Sequence, residues 1–171
     1  MLQGDKIFLR QVDEADVNKI LLWENDIENW RFSDSIAPFS LIEIQEYVRT
    51  ASQIYQNQQL RMMICLSDSQ MPIGTIDLYE VNFKHQRAGV GILIYGKEHR
   101  GKGYASESLK IIEKYAKEVL GLTQLFCDIH ADNKNSIELF LKNGFEQTGR
   151  KKNWFRNKNG FMDVLFYQKF I

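Results

Sequence analysis

The chain has 171 residues, of which 44% are hydrophobic and 26% are charged, and its 22 Lys and Arg are matched by 22 Asp and Glu. This length fits one domain with a full core, so residues 1–171 are expected to form a single domain. The balanced charge gives no field that would attract nucleic acid or an anionic membrane surface, and neither is expected as a partner.

Three further features bear on location and metal content. No apolar run approaches the roughly 20 residues that span a bilayer. The N-terminus lacks the basic and then apolar order of a secretory signal, which predicts a cytoplasmic protein. Cys65 and Cys127 lie in strand-like runs without metal-ligand spacing, so they are expected to be buried free thiols, and no metal site is predicted.

Hydrophobic periodicity and capping residues predict eleven elements. In chain order these are a strand at 7–10, a helix at 13–23, a helix at 40–54, strands at 60–66, 73–81 and 87–95, a helix at 106–120, a strand at 122–129, a helix at 132–143, and strands at 145–149 and 161–170. Residues 23–39 have no clean period and are expected to be irregular, with a turn or two of helix. Residues 157–160 are typical of a hairpin turn. Helices lie between runs of strands, which predicts a mixed sheet with helices on its faces.

Residues 90–107 join a predicted strand to a predicted helix through a glycine-containing turn. Such a turn leaves backbone N–H groups free at the helix N-terminus, where they and the helix dipole favour an anion such as phosphate. Gly101 and Gly103 allow phosphate oxygens to approach closely, and Arg100 and Lys102 add positive charge. The spacing is not that of the common nucleotide phosphate loops, so a turn that serves packing alone stays an alternative.

Three motifs follow one another along the chain: Arg100-x-x-Gly103-x-Ala105 after a strand, Asn133-x-x-Ser136 after the next strand, and then Asn143-Gly144-Phe145. This set resembles the GNAT superfamily of acyl-CoA N-acyltransferases. Within that superfamily it is most similar to the bacterial branch that holds the spermidine acetyltransferases and the ribosomal-protein N-terminal acetyltransferases. The resemblance covers nearly the whole chain.

The resemblance implies a single-domain α/β fold of the mixed, α+β-like kind. A central mixed sheet of about seven strands would carry about four helices, and two splayed parallel strands would form the acyl-CoA cleft. It implies acetyl-CoA as co-substrate, no metal, and a homodimer as a candidate assembly. The pyrophosphate would lie on the turn and the pantetheine arm along the strand that ends near Ile94. The residues implied for this donor are Ile92, Leu93, Ile94, Arg100, Gly101, Lys102, Gly103, Tyr104, Ala105, Asn133 and Ser136.

The expected reaction is direct attack of a neutral amine on the acetyl thioester. A backbone N–H of Ile92, Leu93 or Ile94 would bond the thioester oxygen as charge develops on it, and the spacing leaves open which one. Many family members place a Tyr on the helix after the Asn-x-x-Ser motif to protonate the leaving thiolate. Phe140 stands there in this chain and has no proton to give. Ser136 is the predicted substitute, with helix capping as its alternative role.

The proton of the ammonium needs a base, and Glu80 is the predicted one. It ends the strand before the cofactor strand, and a similar acidic residue occurs there in the polyamine branch. A solvated carboxylate at a strand end is the alternative. His85 is a weaker candidate for the same task, because it lies in a predicted turn. His130 follows a strand end close to the predicted cofactor gap, and a role for it stays open.

The irregular segment is expected to form a wall of the acceptor site, where carboxylates and indoles would suit a cationic amine. The residues concerned are Trp23, Glu24, Asp26, Glu28, Trp30 and Asp34, together with Glu80. The alternative is a core tryptophan followed by a solvated acidic loop.

The predicted function is therefore transfer of an acetyl group from acetyl-CoA to a primary amine, either a polyamine-like small molecule or a protein N-terminus. Two rivals stay open. Phe140 favours a non-catalytic acyl-CoA-binding regulatory module of the same fold. A binder of nucleotide phosphates could use the same glycine-containing turn.

Overall fold

A computed structural model describes residues 2–30, 36–157 and 160–171. The elements in these ranges are β1 (Ile7–Gln11), α1 (Val17–Glu24), α2 (Ile27–Trp30), α3 (Leu41–Thr50), α4 (Ile54–Asn57), β2 (Leu60–Leu66), β3 (Pro72–Asn82), β4 (Arg87–Ile94), α5 (Tyr104–Glu118), β5 (Gln124–His130), α6 (Lys134–Lys142), β6 (Glu146–Asn157) and β7 (Gly160–Phe170). Single turns of 3₁₀ helix lie at Glu14–Asp16 and Lys97–His99.

The strands of the described chain form a seven-stranded sheet in the order β1-β2-β3-β4-β5-β7-β6. Neighbouring strands run antiparallel, except that β4 and β5 are parallel. These two strands pair only where residues 87–89 of β4 lie opposite residues 124–126 of β5. Beyond Gly89 and Phe126 they separate. The predicted mixed sheet with two splayed parallel strands is confirmed.

Helices cover both faces of the sheet because its strands are apolar on both sides. Successive side chains of a strand point to opposite faces, so Ile64 of β2 packs under α5 while Met63 and Cys65 pack under α1 and α3. Cys127 of β5 lies on the α5 side. Both cysteines are buried and free, as predicted.

Two details of the element assignment differ from the sequence-based expectation. The first closing strand, predicted at 145–149, extends over Glu146–Asn157. Its ladder with β7 shifts register between Gln147 and Gly149 and again between Lys151 and Phe155, and such bulges break the alternation that marks a strand in the sequence. The helix predicted at 40–54 is divided, since α3 ends at Thr50 and a separate turn, α4, begins at Ile54. The turn of helix expected within residues 23–39 is present as α2.

The predicted hairpin turn joins β6 to β7. Asn157 lies opposite Gly160 in the antiparallel ladder, which confirms the hairpin, while residues 158 and 159 lie outside the described ranges. Among the residues that the structure describes, none of the helices has the length and apolar character needed to cross a membrane.

An ion pair between β1 and the first helical turn fixes the entry to α1. Arg10 donates from Nη1 and Nη2 to the two carboxylate oxygens of Asp16 at 2.6 and 2.7 Å, and the Asp13 N–H donates to Asp16 at 2.9 Å. Asp16 is 2% exposed. Burial alone would raise the pKa of Asp16, but the hydrogen bonds from Arg10 and from the Asp13 backbone hold it below its ordinary value.

We expect Asp16→Asn to lower the free energy of unfolding by about 3 kcal/mol, because it leaves Arg10 without its counter-ion. The Arg10 side chain is 33% exposed, so water can partly solvate it and the loss stays at the low end for a buried pair. Because the folded pKa of Asp16 lies below its unfolded value, the stabilisation is present above the unfolded pKa and is lost as pH falls through the folded pKa. Urea unfolding of wild type, Asp16→Asn and the exposed control Glu14→Gln measures both effects. A gap between wild type and Asp16→Asn that does not shrink toward acid pH would contradict this account.

Candidate functional site

The separation of β4 from β5 leaves part of the β4 backbone without a strand partner. The Tyr95 N–H donates to the Ile73 carbonyl at 2.8 Å, so this residue bonds toward β3. Residues of an antiparallel strand direct their hydrogen-bonding groups alternately to one side and the other. Leu93, two residues before Tyr95 in an unbroken ladder, therefore also bonds toward β3. The expectation that Leu93 offers its N–H to the donor is corrected by this register.

The same alternation directs the backbone N–H groups of Ile92 and Ile94 to the open side. The Ile94 carbonyl accepts a hydrogen bond from Arg100 Nε at 3.3 Å, which agrees with its pointing away from β3. Of the three candidates for the bond to the thioester oxygen, Ile92 and Ile94 thus direct their N–H groups into the gap. Val90 faces the same side but lies in the part of β4 that still pairs with β5, where Gly89 is opposite Phe126.

On the other side of the gap, β5 offers backbone groups of its own. The Ala131 N–H donates to the Asp163 carbonyl at 3.0 Å and so bonds on the β7 side. By alternation, the backbone groups of Asp128 and His130 face β4 across the gap. The two strands therefore direct backbone hydrogen-bonding groups toward each other across the gap, as the binding of an added extended chain requires.

The gap opens into a cavity of about 260 Å³ that passes between the two strands. Its wall is formed by Tyr79, Val90, Gly91, Ile92, Cys127, Asp128, Ile129, His130, Asn133, Ser136 and Phe140. Ser136 and Phe140 belong to α6 on one face of the sheet. Tyr79 lies on the opposite face of the sheet. It packs against Phe126, whereas the next residue, Cys127, packs on the same face as Phe140, and successive side chains of a strand point to opposite faces.

The start of α5 forms a cradle of backbone donors beside this cavity. Gly101 and Gly103 have φ angles of +75° and +87°, and a Cβ at either would meet nothing within 4 Å. The first helical bond is made by the Glu107 N–H, which donates to the Gly103 carbonyl at 3.0 Å. Among the described residues, no acceptor is found for the backbone N–H groups of residues 101–106. Open space, left-handed glycines and free donors together fit a diphosphate.

Two side chains hold this cradle against α6. Ser106, in the first turn of α5, donates its hydroxyl to the Asn143 side-chain oxygen at 2.8 Å. The Asn143 side-chain amide in turn donates to the Leu139 carbonyl at 2.7 Å. Asn143, from the third motif of the sequence, therefore fixes the position of the α5 N-terminus.

The residues predicted from the second motif lie together at the start of α6. The Asn133 side-chain oxygen accepts the Ser136 N–H at 3.2 Å, so Asn133 caps the helix, and both residues line the cavity. Phe140 is 3% exposed and packs edge-on against Phe145 with ring centroids 4.9 Å apart. Its ring lines the cavity and has no proton to give.

The structure does not bring Glu80 into the cavity. Glu80 has a φ of +49° where the β3–β4 ladder shifts register between Tyr79 and Asn82, and its side chain is exposed. The irregularity ends the alternation that would have put Glu80 on the face of the buried residues Ile76 and Leu78. His85 is exposed in the turn that follows, whereas His130 lines the cavity with its ring 4.0 Å from that of Phe155.

The segment predicted to bind the acceptor divides into core and polar residues. Trp23 is 5% exposed and stacks on Tyr95 with ring centroids 5.3 Å apart, which makes it a core residue. Trp30 donates its indole N–H to the Glu24 carbonyl at 2.5 Å. Glu28 is exposed, and Asp34 lies outside the described ranges.

A charged cluster that sequence reasoning missed holds Glu24 in place. Arg61 of β2 donates through Nε to Asp77 at 2.6 Å and through Nη1 to Glu24, and it lies over the Tyr47 ring with 5.0 Å to the centroid. The Arg61 side chain is 15% exposed. Asp77 lies opposite Gly91 in the ladder, so the cluster lies beside the cavity. Two carboxylates and one guanidinium leave an excess of one negative charge.

The cavity offers no reactive thiol. Burial raises the pKa of Cys127, as does the nearby Asp128 carboxylate, so this side chain stays a neutral thiol at neutral pH. In the part of the chain that the structure describes, no group of three or more His, Cys, Asp or Glu could hold a metal ion. The polar groups on the wall therefore suit direct attack better than transfer through a cysteine.

Comparison with known proteins connects this site to a family. A family model described as "Acetyltransferase (GNAT) domain" matches residues 6–146. The chain belongs to the GNAT acetyltransferase family. A relative in Bacillus subtilis, the uncharacterized N-acetyltransferase YoaA, is 30% identical over 150 residues, which cover 87% of this chain and 84% of the relative. The spermidine N(1)-acetyltransferase of Vibrio cholerae is 25% identical over 164 residues, covering 94% and 91% of the two chains.

The fold of this GNAT protein is also that of solved members. The crystal structure of spermidine N-acetyltransferase from Vibrio cholerae in complex with CoA and spermine has a TM-score of 0.87 at 23% identity and covers 98% of this chain and 96% of that one. GNAT enzymes take their acetyl group from acetyl-CoA, so the predicted donor and the predicted N-acetyltransferase activity are confirmed. The α5 cradle and the β4–β5 gap have the free donors and the space that this donor needs.

Proposed function

We propose that this GNAT protein acetylates a primary amine of a cationic, polyamine-like acceptor that enters beside Gly91. The observation that carries the proposal is the negative excess of the Glu24–Arg61–Asp77 cluster next to the cavity. A carboxylate in a half-buried site attracts an ammonium group more strongly than it would in water. The relatives named as spermidine acetyltransferases, one of them solved with spermine, act on or bind acceptors of this kind.

In this proposal each step of the reaction is assigned to a different residue of the gap. A β4 backbone N–H, from Ile92 or Ile94, bonds the thioester oxygen as negative charge develops on it. Ser136, on α6, donates a hydrogen bond from its hydroxyl to the leaving thiolate. His130 lies in the cavity wall and takes the proton from the ammonium group in this proposal. Glu80, the base predicted from the sequence, does not line that cavity, and its role stays a prediction.

An acceptor screen tests this proposal by following thiol release from acetyl-CoA with spermidine, spermine, a peptide with a free N-terminus and an uncharged aromatic amine. We expect the two polyamines to have the highest kcat/KM. Equal turnover of the uncharged amine would contradict the cationic acceptor. Binding of acetyl-CoA with no turnover on any amine would favour the regulatory module instead. The homodimer and the cytoplasmic location stay predictions.

Glu24→Gln should raise the KM for spermidine about tenfold, which corresponds to roughly 1.4 kcal/mol of lost attraction. Its effect on the uncharged amine should be small, because the substitution removes a charge and little volume. The matched control is Glu28→Gln, which removes a carboxylate from the exposed end of the same segment. A KM for spermidine that rises equally in both variants would show that the cluster does not contact the acceptor.

A further inference from the structure

Tyr79 is the phenol on the wall of the cavity, and sequence reasoning gave it no role. It lies on β3 opposite Gly89 of β4. A Cβ at Gly89 would lie only 2.2 Å from the Tyr79 ring, and one at Gly91 would lie 3.9 Å from it. Because the two glycines have no side chains, they leave a shallow trough across β4. The Tyr79 ring lies in this trough and extends toward the gap.

The ring is held in this position by aromatic neighbours. Phe126 of β5 packs edge-on against it with centroids 5.8 Å apart and an interplanar angle of 83°. Phe126 packs in turn against Phe166 of β7, at 5.6 Å. Edge-to-face pairs of this kind restrict the orientation of a ring. The Tyr79 hydroxyl thus has a defined place at the point where β4 and β5 separate.

The hydroxyl faces a backbone donor of the gap. The Asp128 N–H interacts with the Tyr79 oxygen and lowers its pKa, but burial has the larger effect and raises the pKa of Tyr79 well above its ordinary value. The phenol therefore keeps its proton at neutral pH. A side chain of this kind is a poor base and a permanent hydrogen-bond donor.

We propose that the Tyr79 hydroxyl is a second hydrogen-bond donor to the thioester carbonyl oxygen, acting together with a gap-facing N–H of β4. The inference rests on the proposed acetyl transfer through this gap. The Tyr79 ring lies against Gly91 of β4, and its hydroxyl reaches the Asp128 N–H of β5, so the hydroxyl lies in the gap between the two strands where the acetyl group would be bound.

This role fits the distribution of hydroxyl groups around the gap. Ser136 and Phe140 line the cavity from α6, on the opposite face of the sheet. In the proposed mechanism Ser136 donates a hydrogen bond to the leaving thiolate. Tyr79 then stabilises charge on oxygen without giving up its proton, so no proton has to be returned to it after each turnover. Two donors aimed at one developing charge are the usual arrangement of an oxyanion site.

The test compares Tyr79→Phe with the matched control Tyr115→Phe, a half-buried tyrosine on α5 that is not on the cavity wall. Loss of one such donor is expected to lower kcat by about 10²-fold. The pH dependence of kcat should keep its shape, because Tyr79 does not titrate in the working range. Binding of coenzyme A, measured by calorimetry, should stay within about threefold of wild type, since that affinity is carried by the phosphates and the arm.

A second readout needs no acceptor. Acetyl-CoA with an isotope-labelled carbonyl is bound to each protein, and the NMR resonance of that carbonyl is recorded. Hydrogen bonds polarise the carbonyl, so Tyr79→Phe should move the resonance toward that of free acetyl-CoA, while Tyr115→Phe should leave it in place. An unmoved resonance in Tyr79→Phe, or a kcat within about threefold of wild type, would overturn the inference. A wild-type protein that binds acetyl-CoA with a shifted carbonyl yet acetylates no amine would instead contradict the proposed function alone.

Discussion

Gly103→Glu is expected to abolish binding of coenzyme A. The carboxylate would project into the open space over the free N–H groups that precede α5, where the diphosphate is expected to bind. Like charges brought together at a binding site cost several kcal/mol, so we expect an affinity loss of at least about 10²-fold by calorimetry.

Gly121→Glu is the matched control for this substitution. Gly121 also has a positive φ, +66°, and a Cβ there would also meet nothing within 4 Å, but it lies past the other end of α5. Both variants should lose a similar amount of stability, about 1–2 kcal/mol, because a left-handed backbone disfavours any side chain. Only Gly103→Glu should lose coenzyme A. Retained affinity in Gly103→Glu, or equal loss in both variants, would contradict the cradle.

Ile92→Pro should lower kcat by about 10²–10³-fold while the protein stays folded. Proline has no N–H, and the N–H of Ile92 faces the gap, so the change removes a proposed donor to the thioester oxygen without breaking a bond to β3. Stopped-flow or steady-state thiol release with saturating acetyl-CoA measures the effect.

Leu93→Pro gives the contrast that the register of β4 predicts. Its N–H bonds toward β3, so proline there leaves a buried ladder partner unsatisfied and should cost about 1–3 kcal/mol of stability. Thermal unfolding of the two variants separates the cases. If Ile92→Pro proved the less stable of the two, or if it kept wild-type kcat, the assignment of the Ile92 N–H to the gap would be wrong.

The sequence could predict much of this fold because its signals are local. Capping is one such signal: Ser40 caps α3, and Asp13 caps the 3₁₀ turn that leads into α1, each in a capping box. The strands that form the gap were also recognisable, since β4 and β5 are short apolar runs on either side of α5. The motif at Arg100 to Ala105 marked the cradle, because a glycine-containing turn between strand and helix is itself a local feature.

The chemistry of the gap was harder to predict because it depends on which residues face each other across strands. Tyr79 reaches the cavity through a trough at Gly89 and Gly91, ten and twelve positions further on, and only the register reveals this. The contacts of Arg61 with Glu24 and Asp77 likewise connect residues that are far apart in the sequence and meet only in the folded sheet. Glu80 was expected in the site because it ends the strand before the cofactor strand and because the polyamine branch has a similar acidic residue there. The shift of the ladder between Tyr79 and Asn82, which leaves Glu80 exposed, is not visible in the sequence.

The most direct test of the donor site is hydrogen exchange of the backbone amides, followed by NMR with and without coenzyme A. The amides of residues 101–106 and those of Ile92 and Ile94 should exchange quickly in the free protein and slowly in the complex. Leu93, already bonded toward β3, should change little. Equal protection of Ile92 and Leu93 before coenzyme A is added, or protection confined to other parts of the chain, would contradict the claim that the donor binds between the separated strands.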